Sequence, residues 1–107
     1  MIYVASPYSH PDASVREDRF DLTCRFVGQL MQGGELVYSP IVHNHPIAIR
    51  MDTPMDFDYW RKHDFAMLGL CDSVRVFKLP GWEDSKGISA ELTEAVRLGL
   101  GIGYAGA

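Results

Sequence analysis

Two acidic residues, Glu91 and Asp64, hold the chemistry that this sequence suggests. Glu91 lies in the stretch Ser85-Lys86-Gly87-Ile88-Ser89-Ala90-Glu91, which follows an apolar run, Ser73 to Phe77, and a turn segment, Leu79 to Asp84. The order is strand, loop, helix start. Small residues at Ser85, Gly87 and Ser89 let a ligand approach the backbone where the helix begins. There the unpaired N–H groups and the positive dipole end favour a phosphate. Ile88, Ala95 and Leu98 stand at helical spacing from Glu91, so its carboxylate borders a packed face. The plainer alternative is a solvated first-turn glutamate that complements the helix dipole.

Asp64 has Phe57, Trp60, Met67, Leu68 and Cys71 three, four or seven positions away, which sets it on the apolar stripe of its helix. A carboxylate buried there without partners costs several kcal/mol, and its pKa rises. The alternative is an aspartate at the rim of the stripe, bonded to a backbone amide, His63 or Lys62. Paired carboxylates in unlike environments divide labour, one ionised as nucleophile and one holding a proton as acid. Cleavage of a glycosidic bond through an oxocarbenium-like transition state uses that division.

The remaining candidates fall in loops. His43 and His45 alternate around Asn44 at a spacing that suits two metal ligands, but no Cys or carboxylate cluster completes a site. No metal or other cofactor is expected, and the role expected of these polar loop residues, His43 foremost, is to line a ligand pocket. Tyr8 and Trp82 are candidates to stack on a base, against the commoner role of covering a core edge. Ser6 stands beside Tyr8 at the same loop. Arg16 and Arg19 open a helix next to that loop, as solvated charges or, for Arg19, as a phosphate contact. Ser6, Ser9, Cys24 and Cys71 have no His–Asp arrangement that would make any of them a nucleophile.

These residues need a scaffold. The 107 residues suffice for one domain over the whole chain, 1–107, and 47% hydrophobic with 22% charged residues is a globular composition. A formal net charge of −4 argues against a nucleic-acid polymer as partner, which a basic face would be needed to bind. A single small anion, such as a nucleotide, remains compatible with it. Cys24 and Cys71 both fall in predicted helices and read as buried free thiols of a reducing compartment. No apolar run approaches the ~20 residues of a membrane span, and no signal peptide precedes the first strand. A cytoplasmic location without membrane association is the expectation.

In chain order, Ile2 to Ala5 reads as a strand, and the two prolines and two serines of Ser6 to Pro11 end it. A helix begins near Asp12 or Ser14, carries Phe20, Cys24, Val27 and Met31 on one face, and stops at Gly33-Gly34. Leu36 to Ser39 is a second strand, Ile41 to Pro54 a polar loop, and Asp56 to Leu70 a helix. A third strand over Val74 to Lys78, a helix over Lys86 to Gly99 and a short strand over Ile102 to Ala105 complete the chain. Such alternation predicts an α/β three-layer sandwich, flavodoxin-like, with a parallel sheet of four strands, or five. Ligands in these folds sit outside the carboxyl ends of the strands. The loops Ser6 to Asp12, Pro40 to Asp56 and Leu79 to Lys86 meet at that edge. A four-stranded sheet leaves an edge and apolar surface to cover, so a homodimer or larger homo-oligomer is expected.

At this point the chain resembles the nucleoside 2-deoxyribosyltransferase superfamily, and within it the small uncharacterised bacterial and phage members of the DUF1937 and DUF4406 type. Three blocks carry the resemblance over nearly the whole chain. They are Ile2-Tyr3-Val4-Ala5-Ser6-Pro7-Tyr8, the helix with Asp64 followed by Cys71-Asp72, and Ser85-x-Gly87-x-Ser89-x-Glu91. The resemblance implies a deoxyribosyltransferase-like fold. It implies Glu91 as the nucleophile at the anomeric carbon, Asp64 as the group handling protons at the departing base, and Tyr3 as the residue holding the nucleophile. The transferases carry an aspartate six positions before the nucleophile. The nucleoside 5′-monophosphate N-glycosidases carry a serine there, as Ser85 does here. The implied activity is hydrolysis of a nucleoside or deoxynucleoside 5′-monophosphate to base and sugar phosphate. Deoxyribosyl transfer and a non-catalytic nucleotide-binding module are the alternatives. The chain departs from the family in having Ser89 where a glycine is common, and in ending after its fourth strand.

Overall fold

A computed structural model describes residues 1–106. Four strands, β1 (Ile2–Ala5), β2 (Val37–Tyr38), β3 (Ser73–Phe77) and β4 (Gly101–Ala105), form one sheet in the order β2-β1-β3-β4, every pairing parallel. The helices are α1 (Ala13–Gln32), α2 (Pro40–Met51), α3 (Phe57–Leu68) and α4 (Lys86–Arg97), with a 3-10 turn over Trp82–Asp84. The result is the expected three-layer α/β fold.

The period-two alternation of the strands sorts their side chains into two cores. Tyr3 and Ala5 of β1 and Val74 and Val76 of β3 face α3 and α4, where Leu68, Ile88 and Ala95 close over them. Ile2 and Val4 face the other way, against Val27, Phe26 and Leu30 of α1 and Val42 of α2. In-register pairing of Tyr3 with Val74 and of Ala5 with Val76 keeps each set on its own face. Leu68 is fully buried at the centre of the first core. Its truncation, Leu68→Ala, is expected to cost about 2–5 kcal/mol in a denaturant melt.

Asp12 caps α1, its side chain accepting from the Ser14 amide at 2.8 Å. The polar stretch after β2, expected to be a loop, is instead the helix α2. Ser39 caps it by accepting from the Val42 amide at 3.2 Å, and Pro40 fits the first turn, where a missing N–H costs nothing. Pro46 withdraws only the donor that would meet the Val42 carbonyl, and the helix runs on to Met51 before Asp52 adopts a left-handed conformation (φ 53°). Cys71 is likewise not helical: α3 stops at Leu68, and Cys71 lies buried in the link to β3. Both cysteines are free, Cys24 only partly buried.

The chain leaves β1 for β2 on one side and returns across the sheet to β3 on the other. That reversal puts the switch point between the carboxyl ends of β1 and β3. The segments that follow β1, β2 and β3 converge there. No helix among the described residues is long and apolar enough to cross a membrane.

Candidate functional site

A cavity of about 490 Å³ opens at this switch point. Ser6, Tyr8 and Ser9 enter it from the segment after β1, Arg19 from α1, and Asn44 and His45 from α2. Asp64 comes from α3, Gly81 and Asp84 from the segment after β3, and Ser85, Gly87 and Glu91 from the start of α4. Glu91 and Asp64 are thus brought to one wall from separate helices, each only 3% exposed.

Each acid is half tied down. The Tyr3 hydroxyl, itself fully buried beneath the cavity, donates to Glu91 Oε2. The Asn44 side-chain amide donates to Asp64 Oδ1 at 2.9 Å, and His63 Nδ1 lies 3.7 Å from the same oxygen. The other oxygens, Glu91 Oε1 and Asp64 Oδ2, take no partner from the protein. Among the described residues no buried side-chain oxygen or nitrogen lacks a partner, so neither is sealed away from the cavity.

Burial dominates the electrostatics. It pushes the Glu91 carboxyl up to about 8; the Tyr3 hydrogen bond works against that rise and the Asp64 charge adds to it. Asp64 is also raised by desolvation, opposed by the Asn44 hydrogen bond and by His63 and His43. Tyr3 is held far above its ordinary value, first by burial and then by the two carboxylates, so it stays a neutral donor. The pair therefore retains a proton under conditions where exposed carboxyls are fully ionised.

The cavity lining also holds two cations, Arg19 and Lys86, together with the carboxylates of Asp56, Asp58 and Asp84. Ser85 caps α4 by accepting from the Ile88 amide at 3.2 Å, which leaves its own hydroxyl hydrogen free to donate. The amides of Lys86 and Gly87 precede the first helical hydrogen bond, and both residues line the cavity. Arg19 joins the first and third segments. It donates from Nη1 to the Ser9 and Tyr8 carbonyls at 3.1 and 3.3 Å, and from Nη2 to the Pro80 carbonyl at 3.2 Å. Neither Arg19 nor Lys86 is paired with a carboxylate among the described residues.

Two glycines serve this corner. Gly81 has φ +93°, and a Cβ there would stand 2.9 Å from Arg19 Nη2. Gly81→Ala is expected to cost about 1–3 kcal/mol in thermal stability, since it meets both backbone strain and the guanidinium. The sequence suggests Gly87 as clearance for a ligand, but the space its side chain would occupy is taken by Phe57, whose Cδ1 would lie 3.3 Å from a Cβ at this position. Its small size lets the starts of α3 and α4 pack together.

Two of the expected ligand-binding residues do not reach the cavity wall. Trp82 lies against Tyr104 and the first core, the role of covering a core edge. His43 points away from the cavity and stacks on His63, with ring centroids 5.0 Å apart. Its Nδ1 lies 2.7 Å from Asn44 Oδ1, so it supports the side chain that holds Asp64. His45 turns to the other side, toward Tyr8 and Glu17, so the two histidines share no metal ligand geometry. No group of three or more His, Cys, Asp or Glu able to hold a metal exists among the described residues.

The sequence assigns pocket lining to the polar segment around His43-Asn44-His45 without giving Asn44 or His45 a role of its own; of the three, Asn44 and His45 line the cavity, from a helix rather than a loop. In α2 they are four and five residues beyond Pro40, on the turns that face α3 and α1. Lys86 and the apolar wall of Ile41, Met55 and Trp60 were also not singled out.

A search of curated proteins finds no match to this chain. The profile of the family described as Domain of unknown function (DUF1937) matches residues 1–103, nearly the whole chain and every element that builds the cavity. The chain belongs to the DUF1937 family.

Proposed function

We propose that this protein cleaves the N-glycosidic bond of a nucleoside or deoxynucleoside 5′-monophosphate, as a member of the nucleoside 2-deoxyribosyltransferase-like superfamily. The reading is carried by one observation: two buried acids from separate helices, each with one oxygen tied and one open, line one cavity with helix-start amides and with two cations, Arg19 and Lys86, that pair with no carboxylate among the described residues.

In the proposed reaction the free Oε1 of ionised Glu91 attacks C1′ while Asp64 gives its proton to the departing base. The C1′–N bond breaks and a glycosyl ester of Glu91 remains. Water then attacks C1′, its proton passes to Asp64, and Glu91 leaves as a carboxylate with release of the sugar phosphate. Tyr3 orients Glu91 and favours its charged form. Asn44 fixes Asp64 so that Oδ2 faces the base. The Ser85 hydroxyl, the Lys86 and Gly87 amides, and Arg19 receive the phosphate, where an aspartate in place of Ser85 would repel it. The wall of Ile41, Met55 and Trp60 receives the base. A volume of about 490 Å³ lies within the range of small-ligand sites.

Incubation with the common ribo- and deoxyribonucleoside 5′-monophosphates, followed by chromatography for free base, tests the proposal. Base released by the wild type and not by Glu91→Gln is the expected result. Absence of base from every nucleotide ends it. Addition of a free acceptor base to the same reaction separates hydrolysis from transfer, the latter giving a new nucleotide.

A further inference from the structure

A second chain of polar side chains leads from the cavity to the surface, and the proposed glycosidic chemistry does not use it. Tyr8 lines the cavity, and its hydroxyl meets His45 Nδ1 inside the protein. His45 Nε2 lies 2.8 Å from Glu17 Oε2. The His45 side chain is 4% exposed and that of Glu17 61% exposed, so the chain runs from the cavity through a buried imidazole to the solvent. The Phe20 ring is stacked on the imidazole at 4.3 Å, and the Tyr8 ring meets its edge.

The tautomer follows from the partners. Glu17 only accepts, so Nε2 carries the hydrogen; with the ring neutral, Nδ1 is an acceptor and takes the Tyr8 O–H, whose other acceptor is the weak Met55 sulfur at 3.6 Å. Burial keeps Tyr8 a neutral phenol. A ligand oxygen that needs a donor from Tyr8 must therefore compete with His45. If Tyr8 turns its hydrogen into the cavity, the buried Nδ1 is left unpaired, which is costly. A proton taken up at Nδ1 removes that cost, because Nδ1–H then donates to the Tyr8 oxygen. The groups around the ring bear on the added charge from both sides. Glu17 of α1 faces Nε2 directly and Phe20 of α1 presents its face, both favouring the charge, while Arg16 of α1 and Arg19, which donates to the Tyr8 carbonyl, oppose it from the Tyr8 side.

We propose that Tyr8, His45 and Glu17 form a proton-coupled switch in which ligand binding at the cavity draws a proton onto His45, so that Tyr8 accepts from Nδ1–H and turns its own O–H from the imidazole to the ligand. Coupling to a nucleotide rests on the function proposed above; the switch itself does not. The ligand feature it reads is an acceptor oxygen, of phosphate or of sugar. Tyr8 and His45 are binding and positioning residues here, apart from the Glu91–Asp64 pair.

Two measurements test this. In ligand-free protein, nitrogen-15 NMR should find the neutral His45 ring protonated at Nε2. Tyr8→Phe should move the Nδ1 resonance, and Glu17→Gln the Nε2 resonance. A neutral ring protonated at Nδ1, or resonances unmoved by both substitutions, overturns the switch whatever the ligand. Calorimetry on Glu91→Gln protein, with the same nucleotides in two buffers of different ionisation heat, then counts protons. Net uptake on binding is expected, and its loss in both His45→Gln and Tyr8→Phe. Glutamine keeps a donor and an acceptor but cannot titrate, and phenylalanine keeps the ring, so a folding failure of one leaves the other to decide. Equal uptake with and without these substitutions refutes the coupling. If no nucleotide binds, the nucleotide reading fails, and the NMR result alone decides the switch.

Discussion

Glu91→Gln is expected to lower the rate of base release by about 10⁴-fold or more while nucleotide binding persists. The amide is nearly isosteric and can still accept from Tyr3, so the cavity keeps its shape and loses only the attacking oxygen. Asp64→Asn is expected to cost less, in the range of about 10²–10⁴-fold usual for a general acid, with the smallest loss for bases that leave most readily. The rate should follow a bell in pH. Attack needs one carboxyl of the pair ionised and departure needs the other protonated, so the active form carries a single proton. Its alkaline limb is expected near the value of about 8 to which burial raises Glu91. A Glu91→Gln variant with wild-type turnover would remove the glutamate from the chemistry, and a flat profile across that range would remove the shared proton.

The same substitution has a second large effect, on stability, which needs no substrate. Glu91 begins from an unfolded value near 4.5 and reaches about 8 when folded, chiefly because burial disfavours its charge. A carboxyl raised in this way holds its proton more tightly in the folded protein. Its favourable contribution is complete below about pH 4.5 and is lost as pH rises to about 8, at about 1.4 kcal/mol per unit. Above that range the folded state bears the full desolvation of a carboxylate. Glu91→Gln removes this dependence. Relative to wild type the variant is expected to gain a few kcal/mol between pH 5 and pH 8.5, read from denaturant midpoints. Parallel stability curves for the two proteins across this interval would show that Glu91 is not desolvated. The buried carboxyl then illustrates a site held at a cost to stability, a pattern found where function requires an unfavourable group.

Much of the fold was legible in the chain itself. Short apolar runs alternating with apolar stripes of period 3.6 pointed to a parallel sheet with helices on both faces, and Asp12 announced the start of α1 through local capping. The positions of Glu91 and Asp64 on apolar helical faces were legible for the same reason: burial follows from periodicity along one element. The segment Pro40 to Met51 was not legible. Two prolines and a run of polar residues mimic a loop, and only tertiary packing of Val42, Asn44 and His45 against three different partners makes a helix of it.

Apart from the segment Pro40 to Met51, the sequence by itself determined the element types and their order, and it set Glu91 and Asp64 at apolar helical positions, because those properties depend on residues within one helical turn or one strand repeat. Tertiary structure alone decided that Tyr3 meets Glu91 across 88 residues and Asn44 meets Asp64 across 20, and that Arg19 joins two loops. It also turned His43 and Trp82 away from the cavity and His45 toward Tyr8 and Glu17. Those outcomes depend on sheet order and on the angle at which helices cross it. Contacts between distant residues leave no local periodic trace in the chain.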